Sequence, residues 1–308
     1  MTIQQLRYII AIDQYRHFGK AAEACDLTQP TLSLMVKKME EELDVRIFDR
    51  EAHPVRPTEI GRKIIDQAKV VLYHVNQIAE IVQSEKELLS GHLRIALIST
   101  VSPVLVPGMF KYFSNHYPLI SLQAEEMLSD TIKDKLRKAE VEMGIVTGPV
   151  DDQDLLEIPL YHEGFLAFVS PDNPLYSETE IRIEQLYGQP IWIIRDGLRK
   201  ENWSDMEKGG TVTYERFFEG GRVGMLIQMV NENGGITIIP ETHKDLILFS
   251  KQAGLRPIVQ PGHTRTISLL IRNDYIHEAL LNAVVAAIKN CIPHSLWDSV
   301  IRHQHLTL

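Results

Sequence analysis

Cysteine is nearly absent, with only Cys25 and Cys291 in 308 residues. Two thiols so far apart form no disulfide framework, and they fit a reducing compartment. Long apolar runs are missing too. No stretch reaches the roughly 18 apolar residues that a membrane span needs. The opening MTIQQLRYIIAIDQYRHFGKA has no basic segment followed by an apolar run and a small-residue cleavage site, so a cytoplasmic chain with no membrane association is expected. Positive charge is in deficit: 32 Lys and Arg against 41 Asp and Glu give a net charge of −9. If part of the chain binds nucleic acid, its cations must be gathered on one face with the acids elsewhere. The common catalytic signatures are also lacking: no H-E-x-x-H, no P-loop, no Rossmann glycine fingerprint, no nucleophile elbow. A chain that is not an enzyme and needs no cofactor or metal is therefore expected, and His303 and His305 read as part of a solvated tail.

What is present begins with three short helical patterns. Ile3, Leu6, Ile9 and Ile10 recur at helical spacing. Phe18 to Cys25 is a short Ala-rich helix. Then Thr28 offers an N-cap, and Pro30 falls in the first turn, where its missing N–H costs little. Leu32, Val36, Met39 and Leu43 make one apolar stripe and leave Gln29, Thr31, Ser33, Lys37 and Lys38 on other faces. Three short helices, the last two joined by a tight turn, are the helix-turn-helix pattern. Its second helix enters the major groove by its first residues, here Gln29, Pro30, Thr31 and Ser33. Glutamine can pair with adenine, and small hydroxyls serve base or phosphate. Lys37, Lys38, Arg50 and Arg56 are the candidates for phosphate contacts. The plainer reading is a capped helix start with a solvated lysine face.

Residues 45–58 read as two short strands around a polar loop, a β-wing. From Thr58 to about Leu89 a long helical pattern carries Ile64, Ala68, Val71, Val75, Ile78 and Val82 at spacings of three and four. Such a seam suits pairing with another helix; the alternative is an ordinary helix packed on its own domain. Ser90-Gly91 ends it, and strands then alternate with helices: strands at 93–99, 120–127, 143–148, 165–171, 190–196, 235–240 and 265–272, and a last helix over 275–291. That alternation predicts parallel sheets flanked by helices. About 200 residues with strands enough for two sheets predict two similar lobes. The expected architecture is α/β overall: a winged helix-turn-helix at 1–58, a linker helix at 59–90, and a two-lobed α/β domain at 91–308. Lobe I spans about 91–162 and 266–308, lobe II about 163–265.

The motif string Q-P-T-L-S-x-x-V-K-K-M-E-E-E-L-x-V-x-I-F-x-R, followed by P-T-x-x-G, resembles the signature of LysR-type transcriptional regulators. YRHFGKAAEACDLTQPTLS is similar to the OxyR branch in particular, while LSGHLRIALISTVSPVLVP and GGITIIP extend the resemblance along the chain. Asp44 stands where the family has glycine and Pro57 where it has an apolar residue, so a slightly different wing is expected. The resemblance implies a homodimer or homotetramer bound to promoter DNA, contact with RNA polymerase, and an effector domain resembling periplasmic binding proteins. A solute-binding protein alone would leave the first 89 residues unexplained.

OxyR-type proteins carry a redox cysteine in a G-H-C-L-R segment. The matching text here is Asp196-Gly197-Leu198-Arg199, and no cysteine occurs between Cys25 and Cys291. A missing thiol cannot become a sulfenic acid or a disulfide, so peroxide sensing does not carry over. Non-covalent binding of a small, anionic effector between the lobes is the remaining expectation. The alternative is an OxyR-like stress regulator whose second domain works without a redox cysteine or serves only as an oligomerisation scaffold. Ligands of such sheets bind beyond strand carboxyl ends, near helix N-termini. The candidates there are Ser99, Thr100, Ser102, Ser129, Thr147, Gly148, Arg195, Arg199 and Arg265. As helix caps and surface ion pairs they would have no such role.

Overall fold

A computed structural model describes residues 1–84, 89–192, 222–259 and 264–298. The chain divides into two compact units, Met1–Leu88 with Arg137–Glu140 and Leu89–Leu136 with Val141–Leu308.

The first unit opens with α1 (Ile3–Tyr15), α2 (Phe18–Ala24) and α3 (Gln29–Leu43). Thr2 and Gln5 form a reciprocal capping box on α1. Thr28 caps α3 by accepting from the Thr31 amide, with Pro30 in the first turn. Leu32, Val36 and Met39 are fully buried with Ile9, Ile12 and Phe48, whereas Leu43, the fourth member of the expected stripe, is 37% exposed. Glu40 is buried instead. Its Oε1 accepts from the amides of Ile47 (2.8 Å) and Phe48 (3.2 Å), which anchors β1 (Phe48–Asp49). β1 pairs antiparallel with β2 (Arg56–Pro57), and Thr58 then caps α4 (Glu59–Ser84) through the Gly61 amide. A Cβ on Gly61 would lie 1.9 Å from the Ile47 carbonyl, so only glycine lets this helix approach the wing.

The 26 residues of α4 extend about 39 Å. The near part of its apolar seam packs on its own unit. Ile65 and Ala68 are buried in the unit's own core, with Ile64 and Leu72 against it. Val71 and Ile78 stay exposed at 37% and 66%.

In the second unit β3 (Gly91–Leu97), α5 (Ser102–His116), β4 (Ile120–Glu126), α6 (Ser129–Arg137), β5 (Met143–Gly148) and β6 (Leu155–Glu163) build the first lobe. β7 (Phe165–Val169), α7 (Ile183–Leu186), β8 (Ile191–Trp192), α8 (Val223–Asn233), β9 (Ile236–Pro240) and β10 (Leu255–Pro257) build the second. β11 (Arg265–Arg272) and α9 (Glu278–Cys291) belong to the first lobe again. The sheets run β4-β3-β5-β11-β6 and β10-β7-β9-β8.

Neither sheet is purely parallel, which corrects the expectation from strand–helix alternation. β3 is parallel to β4 and β5, but β11 is antiparallel to β5 and β6, and β7 to β9 and β10. The antiparallel strands of lobe I arise because the chain leaves it along β6 and returns along β11. β6 lies outside the expected strands because Pro159 interrupts its pattern, yet it is an edge strand, where a missing N–H is tolerated. A register shift opposite Ile267 and Ser268 absorbs the irregularity. Most of the strand expected at 190–196, together with Arg195, Arg199, His303 and His305, lies outside the described residues.

Candidate DNA-binding surface and effector site

The first turn of α3 presents Gln29 and Pro30 exposed, with Thr31 and Ser33 partly covered. The Thr31 hydroxyl is 2.8 Å from that of Thr28, so it is engaged in the cap. Lys37 and Lys38 are exposed further along, and Lys37 pairs with Glu41 at 3.5 Å. Arg56 is exposed on the wing. Arg50 is the best-held of the predicted cations. Its guanidinium donates to Glu40 Oε2 (2.9 Å) and to Ser33 Oγ (3.3 Å), and it lies over the Phe18 ring at 5.4 Å from the centroid. Buried Glu40 therefore ties wing, recognition helix and Arg50 together. No sequence signal marked it; it falls at a helix position adjoining the apolar stripe.

Asp44 takes the left-handed conformation (φ 52°) at the end of α3, its amide donating to the carbonyls of Glu40 and Glu41. That is the backbone glycine favours at a helix end, so the departure at this position keeps the turn into the wing.

In the second unit β3 is parallel to β4 and β5; Ser99, Thr100, Ser102 and Ser129 follow β3 and β4, Thr147 and Gly148 end β5, and Arg265 opens β11. Ser99 is partly exposed, and Ser102 and Ser129 are the first residues of α5 and α6. Thr100 is buried, and its Oγ1 accepts from Arg265 Nη1 at 2.8 Å. Thr147 is paired across β5–β11 with Ile267, two residues from Arg265 and hence on the same sheet face. It is buried, and its hydroxyl has no hydrogen-bond partner among the described residues. Gly148 has a packing reason: a Cβ there would meet Glu157 Oε1 at 2.1 Å and Ser268 Oγ at 2.6 Å.

Arg265 is a fully buried ion pair rather than an open cation. It contacts Glu163 Oε1 from Nε (2.8 Å) and Nη2 (2.7 Å), and both side chains are wholly inaccessible. Glu163 Oε2 accepts from Thr242 Oγ1 at 2.5 Å. The network thus joins the turn after β3, both strands that cross between lobes, and the 3₁₀ turns Glu241–Leu246 of lobe II. His243 beside it is buried with neither ring nitrogen partnered among the described residues. Burial, and secondly the Arg265 charge, lower its pKa from 6.5 to about 4. Sequence reasoning missed Glu163, Thr242 and His243, because none stands in a motif. The two thiols are held protonated: burial pushes Cys291 up to about 11, and burial with the Asp26 charge raises Cys25. Neither has the depressed pKa of a reactive cysteine.

Comparison with known proteins agrees with this architecture. Residues 3–62 match the family of bacterial regulatory helix-turn-helix proteins of the lysR type, and residues 86–291 match the LysR substrate binding domain. The hydrogen peroxide-inducible genes activator of Haemophilus influenzae is 29% identical over 302 residues, covering 95% of this chain and 99% of that one. The DNA-binding transcriptional dual regulator OxyR of Escherichia coli K12 is 28% identical over 280 residues, 88% and 90% of the two chains. A cysteine variant of full-length OxyR from Pseudomonas aeruginosa superposes with a TM-score of 0.81 at 29% identity, over 97% of this chain and 98% of that one. A full-length BenM variant, 22% identical with a TM-score of 0.54 over 94% and 92% of the chains, shares the fold. Among the described residues no helix is long and apolar enough to cross a membrane. With both of its parts matched, the chain belongs to the LysR family of transcriptional regulators.

Proposed function

We propose that this regulator reads promoter DNA as a homodimer, or a dimer of dimers, with α3 in the major groove and a non-covalent effector at the strand ends of lobe I. The observation that carries the DNA reading is the first turn of α3: Gln29 is exposed there beside Ser33, and Arg50 is clamped against that same turn. Gln29, Pro30, Thr31 and Ser33 face base edges, and Lys37, Lys38, Arg50 and Arg56 neutralise phosphates. The exposed Val71 and Ile78 of α4 suit a paired linker, and two-fold pairing calls for a palindromic site. RNA polymerase is the target of the bound dimer.

For the effector, Ser99, Ser102, Ser129 and Thr147 supply polar groups at one end of the sheet. Arg265 holds Thr100 in place; because Glu163 already neutralises it, an anion there would have to displace a buried carboxylate. The spent arginine favours an effector recognised by hydroxyl and amide groups. It also keeps alive a second reading, in which the lobes act only as an oligomerisation scaffold. Genome-wide mapping of bound DNA tests the regulator and names neighbouring genes. Thermal-shift screening with the metabolites those genes suggest then separates the two readings, since a true effector raises the melting temperature with the logarithm of its concentration once that exceeds Kd. Absence of salt-sensitive DNA binding by the purified chain would refute the DNA reading.

A further inference from the structure

Two strands cross between the lobes of the second unit, β6 leaving lobe I and β11 returning to it. At the crossing they form two successive cross-strand pairs, Glu163 with Arg265 and His162 with Thr266. Successive residues of a strand point to opposite faces. One face therefore carries the sealed Glu163–Arg265 ion pair. The other carries His162, whose side chain is 48% exposed and whose Nδ1 lies 2.9 Å from the Thr266 hydroxyl. Both links sit where two lobes joined by crossing strands would hinge.

The chain after α9 docks along β6 at this crossing. It makes a 3₁₀ turn at His294–Leu296 and then meets β6 through an antiparallel bridge of Trp297 with Tyr161. The Asp298 amide donates to the Leu160 carbonyl at 3.0 Å, and Asp298 Oδ2 is 2.5 Å from His162 Nε2. An ionised carboxylate only accepts, so Nε2 carries a proton there. Trp297 anchors the segment. Its Nε1 donates to the Ile292 carbonyl at 3.0 Å. Its ring stacks on His294 with centroids 3.9 Å apart, and the Lys289 ammonium lies 5.3 Å from its centroid.

We propose that His294–Asp298 is a strap that restrains the hinge between the lobes. Asp298 holds His162 and His162 holds Thr266, so the two crossing strands are tied on the face opposite the buried ion pair. Covering an edge strand is a common use of such a segment. Here the cover reaches further, because its last link lands on Thr266 of β11 rather than on β6 alone. Asp298 is only 13% exposed, so little water competes with His162 for its carboxylate. Releasing the strap removes the outer tie and leaves the buried pair in place. That loosened lobes serve an effector rests on the reading of the effector site above; the strap itself does not.

The test is amide hydrogen exchange, read peptide by peptide on the full chain, in wild type, Asp298→Ala, Thr266→Val and Thr266→Ser. Asp298→Ala and Thr266→Val should each lose about tenfold in protection at 160–163 and 265–267, the size of one strong hydrogen bond. The loss should extend to the turn Glu241–Leu246 of lobe II, which Thr242 ties to Glu163. Protection in α9 and β3 should stay as in wild type. A local opening exposes little surface, so low urea should not deepen the loss. Thr266→Ser keeps the hydroxyl and should match wild type. Faster exchange confined to 293–298 in Asp298→Ala overturns the proposal and reduces the segment to an edge cover. A uniform loss across lobe I, with an equal fall in the urea midpoint, overturns it too. Should Asp298→Ala fail to fold, Thr266→Val decides, since it leaves Asp298 and His162 in place. Neither DNA nor effector enters the measurement, so its outcome is independent of both earlier readings.

Discussion

The two units each use an arginine–glutamate pair next to an aromatic ring, to opposite ends. In the first, Glu40 is buried and anchors two wing amides while Arg50 remains 40% exposed beside the recognition helix. In the second, both Arg265 and Glu163 are sealed from solvent, with Phe165 near the guanidinium and threonines on either side. One pair positions a cation that still faces outward. The other consumes its cation in holding the crossover between lobes. Burial, rather than residue type, separates an arginine available to a ligand from one that is structural.

Breaking the sealed pair gives the largest expected effect. Glu163→Leu leaves a buried guanidinium uncompensated, and loss of one partner of such a pair costs about 3–5 kcal/mol. Urea unfolding should report that drop. The double variant Glu163→Leu with Arg265→Met should recover most of it, because paired removal leaves no orphan charge. A single-variant loss under about 1 kcal/mol would mean that the site is wetter than its burial indicates.

His243 sharpens the comparison through pH. Its folded pKa is about 4, below the 6.5 of an unfolded histidine. The unfolded chain therefore takes up a proton that the fold refuses. Stability is full above about pH 6.5, falls as pH drops through the interval, and levels off below about 4. The integrated loss approaches about 3 kcal/mol. Between these limits wild type should lose stability relative to His243→Leu as pH is lowered, and parallel curves would remove His243 as the cause.

The contrast also explains what was legible beforehand. The stripe of Leu32, Val36 and Met39, the Thr28 cap and the two-strand wing are local patterns, and each appears where the residues place it. Strand ends bearing Ser99, Ser129 and Thr147 were legible because hydroxyls follow apolar runs. That Arg265 meets Thr100 depends on strand order, which is long-range and is not announced by either residue's neighbours. Glu163 and Thr242 were invisible: they lie 102 and 23 residues from Arg265, and a buried charge looks in sequence like a surface one. Glu40 was hidden for a related reason, its carboxylate serving backbone amides that no side-chain pattern announces.

Arg50→Met tests the outward-facing pair and should separate stability from binding. Glu40 keeps its two amide donors, and a half-exposed pair contributes at most about 1 kcal/mol, so the melting temperature should move little. DNA affinity should nevertheless fall several-fold, with a salt slope lower by about one. If stability falls as far as in Glu163→Leu, the two pairs are alike and the distinction drawn from burial is wrong.

The smallest effect is expected at Asp44, and its sign carries the information. The residue is held at φ 52° with its amide bonded back into α3, a conformation disfavoured for most side chains but tolerated by aspartate. Asp44→Gly removes the Cβ penalty while adding freedom to the unfolded chain. It also takes an anion away from the negative end of the α3 dipole, where a negative charge is unfavourable. Two of the three terms stabilise, so a gain below about 1 kcal/mol is expected in urea unfolding, without change in DNA affinity. Asp44→Ala keeps the Cβ and removes the charge, so its difference from Asp44→Gly isolates the backbone strain. Were it to stabilise as much as glycine, charge at the helix end would be the larger penalty, and left-handed geometry would cost the turn into the wing almost nothing.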